Sequence, residues 1–289
     1  MSKDLTIIDG GMGGELIARG LMASEGLWSA QALVDQPDVV KGVHRDFIAA
    51  GARVIITNTY STIPSYFAKA GMADKYLEYA KIGGEIAREV ADEAGAVRVA
   101  GCLPPLDESY RYDLVPDDDV AQPVYQALVE TLTPYVDLFV CETMSCVRES
   151  LNAATAARAS GKPFWVAWTL HETPGQGLRS GESVTEAFQQ LEPMDPEAFI
   201  FNCSTPESIE SALDELTKLT DKPVGVYPNL LRIPEGWTLD NEVQTDRREM
   251  SIEEFVDFSM TWRSQGASIL GGCCGIGPSY IQALQEQVT

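Results

Sequence analysis

Near the end of the chain, Gly271-Gly272-Cys273-Cys274-Gly275 places two adjacent cysteines between glycines. Neighbouring cysteines bond to each other only under strain. As thiolates they can instead share one soft metal ion, and the flanking glycines let the backbone turn closely around it. A third thiolate at another strand end would extend the set. Cys203 supplies one, because it closes the apolar run Ala198-Phe199-Ile200-Phe201-Asn202. Three thiolates favour Zn²⁺ over Mg²⁺ or Mn²⁺. Three protein ligands also leave a fourth position free, as catalytic zinc sites do. The chain has only two histidines to offer as nitrogen ligands. His44 falls mid-helix and is expected to face the outer layer, and His171 reads as a polar loop residue. Cys102, Cys141 and Cys146 read as small buried hydrophobes. Strand alternation also turns Cys141 away from the side chain of Glu142.

The elements that must position these residues follow one plan. Leu5 to Gly11, Arg53 to Tyr60, Val97 to Leu103, Asp137 to Thr143, Phe164 to Leu170, Ala198 to Cys203, Val224 to Asn229 and the Ile269-Leu270 run are apolar stretches with polar C-terminal ends. Between them lie helical patterns at Gln36 to Ala50, Asp74 to Gly95, Val120 to Thr133, Val147 to Ser160, Val184 to Leu191 and Pro206 to Leu219, with Thr205 expected as an N-cap. Ser251-Ile252-Glu253-Glu254 is a capping box for a helix ending near Gly266, and Pro278 to Gln287 closes the chain. Near-continuous apolar strands suit a parallel sheet buried on both faces. The count and length predict an α/β fold, a (β/α)8 TIM barrel forming a single domain over residues 1–289; a doubly wound open sheet is the main rival. In a barrel the strand ends share one mouth. That mouth would gather Asp9, Thr57, Asn58, Glu142, Cys203, Asn229, Cys273 and Cys274. The long polar loop from strand seven to Arg248 is expected to be the most mobile part.

Composition narrows the partners. The net charge of −22 argues against nucleic acid and against an anionic membrane surface. No apolar run approaches the ~18 residues of a membrane span. No signal-peptide pattern precedes the first strand, and six cysteines scattered through a long chain suit a reducing compartment. A cytoplasmic protein is expected.

Six segments together carry a resemblance: Asp9-Gly10-Gly11-Met12, Thr57-Asn58-Thr59-Tyr60, Cys141-Glu142-Thr143, Asn202-Cys203, Tyr227-Pro228-Asn229 and Gly271-Gly272-Cys273-Cys274-Gly275. In this order, and over essentially the whole chain, they resemble the homocysteine S-methyltransferase family. That family includes S-methylmethionine- and betaine-dependent enzymes and the homocysteine module of cobalamin-dependent methionine synthase. The resemblance implies a zinc-bearing barrel in which Cys203, Cys273 and Cys274 are both the metal ligands and the catalytic set. It implies that Asp9 and Glu142 hold the amino group of homocysteine, that Gly10, Gly11 and Thr57 lie near its carboxylate, and that Asn229 lies near the open zinc position. The implied reaction moves a methyl group from a sulfonium or quaternary ammonium donor to homocysteine, giving methionine, with S-methylmethionine or S-adenosylmethionine the foremost donors. Aromatic faces attract such cations, which makes Trp28, Tyr60, Tyr110 and Tyr112 candidate donor contacts. Two other readings compete: a zinc hydrolase on a barrel, which would act without homocysteine, and a non-catalytic zinc- or thiol-binding protein, which would transfer no methyl group. Oligomeric state is left open by the sequence.

Overall fold

A computed structural model describes residues 4–21, 27–238 and 245–289. Eight parallel strands alternate with helices: Thr6–Ile7, Val54–Ile56, Arg98–Leu103, Leu138–Met144, Phe164–Trp168, Ala198–Asn202, Val224–Tyr227 and Ile269–Leu270. Each pairs with its sequence neighbour, and the eighth pairs with the first. A parallel bridge between Ile8 and Val54 brings the first and second strands together. Two backbone bonds support it, Asp9 N–H to Val54 C=O at 3.1 Å and Arg53 N–H to Ile7 C=O at 2.8 Å. The fold is the expected TIM barrel rather than an open doubly wound sheet.

The helices begin and end where local chemistry says they should. Pro37, Pro64, Pro206 and Pro278 occupy first helical positions, where the missing N–H is no loss. Ser183 with Glu186 and Ser251 with Glu254 form capping boxes. Gly161 and Gly266 follow helices Val147–Ala159 and Ile252–Ser264 with positive φ, at 73° and 112°. Thr205 holds the N-cap position of helix Pro206–Leu216, but its hydroxyl donates to Ser208 Oγ instead of capping a backbone N–H.

Two apolar layers result. An inner layer fills the barrel with Ile8, Val54, Ala100, Leu138, Val140 and Trp165 among others, and a larger outer layer lies between strands and helices. His44 lies mid-helix in Pro37–Ala49, as expected, and is fully buried with neither ring nitrogen partnered. Burial pushes its pKa down to about 4. In the long loop after strand seven, Leu231–Arg232 pairs with Asp246–Arg247 in a short antiparallel ladder. The expected mobility of that loop falls partly on residues 239–244, outside the described residues. No described helix is long and apolar enough to cross a membrane.

Candidate active site

The three cysteines singled out by type converge. The Sγ atoms of Cys203, Cys273 and Cys274 all lie within 4.8 Å of one another. Zn–S bonds of about 2.3 Å in a tetrahedron place sulfurs roughly 3.8 Å apart, so the trio fits one zinc-sized ion. Among the described residues this is the one cluster of its kind. The three thiols perturb one another's proton affinity. Hydrogen bonds from Cys203 and Cys273 hold Cys274 well below the ordinary thiol range, while those with Cys203 and Cys274 push Cys273 well above it. Such a set can exchange its protons for one cation, releasing them to solvent.

Backbone bonds between four strand ends fix these sulfurs. Cys203 N–H donates to Tyr227 C=O at 3.1 Å and Cys273 N–H to Pro228 C=O at 2.8 Å. Leu230 N–H donates to Cys274 C=O at 2.8 Å, and Gly272 N–H to Asp9 C=O at 3.0 Å. Asn229 lies between the two residues that pin Cys273 and Cys274. Its side chain is 1% exposed, and neither amide atom has a hydrogen-bond partner. An orphaned buried amide is costly unless a ligand completes it.

Beside the sulfurs stand two buried carboxylates. Asp9 and Glu142 are 3% and 8% exposed. Asp9 Oδ2 accepts from Ile56 N–H at 2.8 Å. Burial and the charge of Glu142 push the Asp9 carboxyl well above its usual range despite that bond. Glu142 is pushed up to about 7 by burial. No described salt bridge reaches either group. Buried charges normally carry a partner, and among the described residues no cationic side chain pairs with either.

Gly10 and Gly11 follow the first strand, where the absence of a side chain is required. A Cβ on Gly10 would come within 2.3 Å of Ile276 O, and one on Gly11 within 2.6 Å of Cys273 O. They allow the first loop to pass against the cysteine loop. The Thr57 hydroxyl is engaged twice, accepting from Cys102 N–H at 3.0 Å and sharing a proton with Thr59 Oγ1 at 2.8 Å.

The expected aromatics separate. Tyr60 packs on the inner barrel layer and bonds Ser109 Oγ through its hydroxyl at 2.8 Å. The Tyr110 hydroxyl lies within hydrogen-bonding reach of Cys203. Its ring meets Trp237 edge-on with centroids 5.8 Å apart, and the Arg179 guanidinium lies 5.0 Å from its centroid. Trp28 lies against Gly13, where a Cβ would sit 2.7 Å from the indole. Tyr112 is exposed in a short 3-10 turn and does not join the Tyr110–Trp237 pair. His171 is a loop residue, as expected, with Nδ1 accepting from Thr173 N–H.

Residue type alone misreads two cysteines and passes over an asparagine. Cys102 is not simply an apolar filler, since its thiol donates to Glu142 Oε2 at 2.8 Å. Tyr227 donates to the other oxygen, Oε1, at 3.2 Å. Cys146 caps helix Val147–Ala159, accepting from Glu149 N–H. Cys141 alone of the three is only packed. Asn202 grips the residue after Glu142: Thr143 N–H donates to its Oδ1 at 3.1 Å, and its Nδ2 donates to Thr143 Oγ1 at 2.7 Å. A polar residue closing an apolar strand was the available signal for Asn202.

Comparison with known proteins points the same way. Residues 6–288 match the model of a family described as homocysteine S-methyltransferase. The chain is 31% identical to homocysteine S-methyltransferase of Escherichia coli K12, covering 99% of this chain and 96% of that protein. It is 28% identical to homocysteine S-methyltransferase YbgG of Bacillus subtilis, over 97% and 93%. Among solved structures, the metallated form of the homocysteine methyltransferase MmuM from Escherichia coli superposes with a TM-score of 0.83 at 29% identity, covering 99% of this chain and 96% of that one.

Proposed function

We propose, from the premise that this chain belongs to the homocysteine S-methyltransferase family and is a methyltransferase acting on homocysteine, that it is zinc-dependent, uses a sulfonium donor and acts through the residues at this mouth. The carrying observation is the juxtaposition of a three-thiol cluster with two buried carboxylates that no described cationic side chain pairs. The first suits a soft metal and the second suits an ammonium group. Homocysteine carries a thiol and an ammonium group on one short chain. The zinc hydrolase and the non-catalytic reading both give way to this one, because neither explains the carboxylate pair.

In this reading Cys203, Cys273 and Cys274 hold the zinc, and residues 1–289 act as one homocysteine-binding domain. When bound, the ion keeps the homocysteine sulfur a thiolate at neutral pH, where a free thiol of pKa about 8.5 is mostly protonated. Asp9 and Glu142 hold the ammonium group, and the end of the first strand with Thr57 borders the carboxylate. Asn229 supplies its unpaired amide to the space beside the sulfurs. Tyr110 and Tyr60 border Cys203 and offer aromatic faces to the positive donor, while Trp28 lines the first loop. Nucleophilic displacement at the methyl group needs no general base at the sulfur, consistent with a site lacking histidine. S-methylmethionine and S-adenosylmethionine are the foremost donors.

The test is methionine formation by purified protein with homocysteine and each of S-methylmethionine, S-adenosylmethionine, dimethylsulfoniopropionate and betaine, alongside Cys273→Ala. Wild type should carry about one zinc per chain and turn over with a sulfonium. Cys273→Ala should lose metal and turnover together. Full turnover by a metal-free Cys273→Ala protein, or no methionine from any donor, would overturn the reading.

A further inference from the structure

Cys102 is 0% exposed and lies on the inner face of the third strand, apart from the metal-binding trio. It pairs in register with Val140, two residues before Glu142 on the adjacent strand. Its polar groups all point at the site. The thiol donates to Glu142 Oε2 at 2.8 Å. Its N–H donates to Thr57 Oγ1 at 3.0 Å. Its C=O accepts from Thr59 Oγ1 at 3.3 Å, and Thr59 is in turn bonded to Thr57 at 2.8 Å.

We propose that Cys102 is the positioning residue of the amino-acid subsite, setting Glu142 through its thiol and Thr57 through its backbone. This rests on the functional reading above, in which Glu142 and Thr57 serve opposite ends of the amino-acid portion of homocysteine. Glu142 has a long side chain in a buried setting, with no described salt bridge to hold it. Its orientation depends on two neutral donors, Cys102 and Tyr227. Without the S–H, Oε2 loses a buried partner and the carboxylate is free to adopt other rotamers. Substrate binding then has to bear the cost of ordering it. Cys102 touches neither the reacting sulfur nor the donor, so its removal weakens homocysteine binding and leaves methyl transfer from bound substrate intact.

A packing role and a hydrogen-bonding role separate cleanly at this position. Ser and Ala both remove the bulk of sulfur, but only Ser keeps a donor. With zinc-loaded enzyme and saturating donor, Cys102→Ala should raise the homocysteine KM and the calorimetric Kd about tenfold, equivalent to about 1.4 kcal/mol. Its kcat should stay within about twofold and its zinc content should not change. Cys102→Ser should recover most of the affinity. Cys102→Val, which keeps bulk without a donor, makes the same comparison if the Ala variant does not fold. An unchanged KM in Cys102→Ala, equal losses in the Ser and Ala variants, or a loss confined to kcat would each overturn the proposal while wild type still binds homocysteine. Failure of wild type to bind homocysteine at all would overturn the functional reading and this proposal with it.

Discussion

Glu142 is the residue at which stability and function pull apart. Burial raises its pKa from the usual 4.5 to about 7. A raised carboxyl pKa means the native state prefers the protonated form. Its contribution to stability is therefore fully present below about pH 4.5 and lost as pH rises through 7, to the extent of at most about 3 kcal/mol. An ammonium ligand reverses the preference by giving the carboxylate a partner. Without homocysteine, Glu142→Gln should match wild type in urea denaturation near pH 5 and be more stable near pH 8. Homocysteine should raise the melting temperature of the wild type and leave Glu142→Gln unmoved. A variant no more stable than wild type at pH 8 would refute the account of a buried carboxylate held by neutral donors alone. This residue and the three clustered cysteines were legible in the sequence, because a charge or a thiol ending an apolar run is conspicuous. Cys102 was not. A parallel strand buried on both faces reads as uniformly apolar, so nothing in Val97 to Leu103 says which side faces the barrel interior.

The strand ends, rather than the strands, carry the design at the scale of elements. The first and eighth strands have only two residues each, yet they bring Asp9 against the cysteine loop. Gly271 makes that approach possible: a Cβ there would meet Ile8 Cγ1 at 2.2 Å and Asp9 O at 2.9 Å. Gly271→Ala should force the two strand ends apart, costing about 1–3 kcal/mol of stability as overpacking does. Because the displaced groups are Asp9 on one side and Cys273 on the other, homocysteine affinity and zinc content should fall together. Thermal denaturation, metal analysis and calorimetry on the one variant check this, and loss of stability with both binding functions intact would contradict it. The fourth and sixth strands are joined differently. Thr143 and Cys203 both take positive φ, at 61° and 47°, a region uncommon for residues with a Cβ. The two bonds between Asn202 and Thr143 tie the end of the sixth strand to the irregular end of the fourth. The alternation of strands and helices could be read from apolar runs, prolines and capping boxes. The left-handed residues Thr143 and Cys203 could not, since neither Thr nor Cys announces a positive φ as Gly would.

For the molecule as a whole, the dominant quantity is charge. Lys and Arg total 21 against 43 Asp and Glu, giving −22. Such a field attracts cations over a distance set by salt, about 30 Å at 0.01 M and about 8 Å at 0.15 M. Homocysteine is a zwitterion near neutral pH and should feel little of it. Donors divide by net charge: S-methylmethionine and S-adenosylmethionine carry one net positive charge, whereas betaine and dimethylsulfoniopropionate are neutral overall. An acidic surface therefore favours encounter with the first pair over the second, before any contact at the mouth is made. If the donor is a cationic sulfonium, kcat/KM for it should fall severalfold between 10 and 150 mM NaCl. The homocysteine KM, measured at saturating donor, should change less than twofold over the same range. Steering acts on encounter, so kcat should stay level throughout. A donor whose kcat/KM ignores salt would show that the negative field plays no part in its capture, and that selection among donors lies in the contacts at the mouth alone.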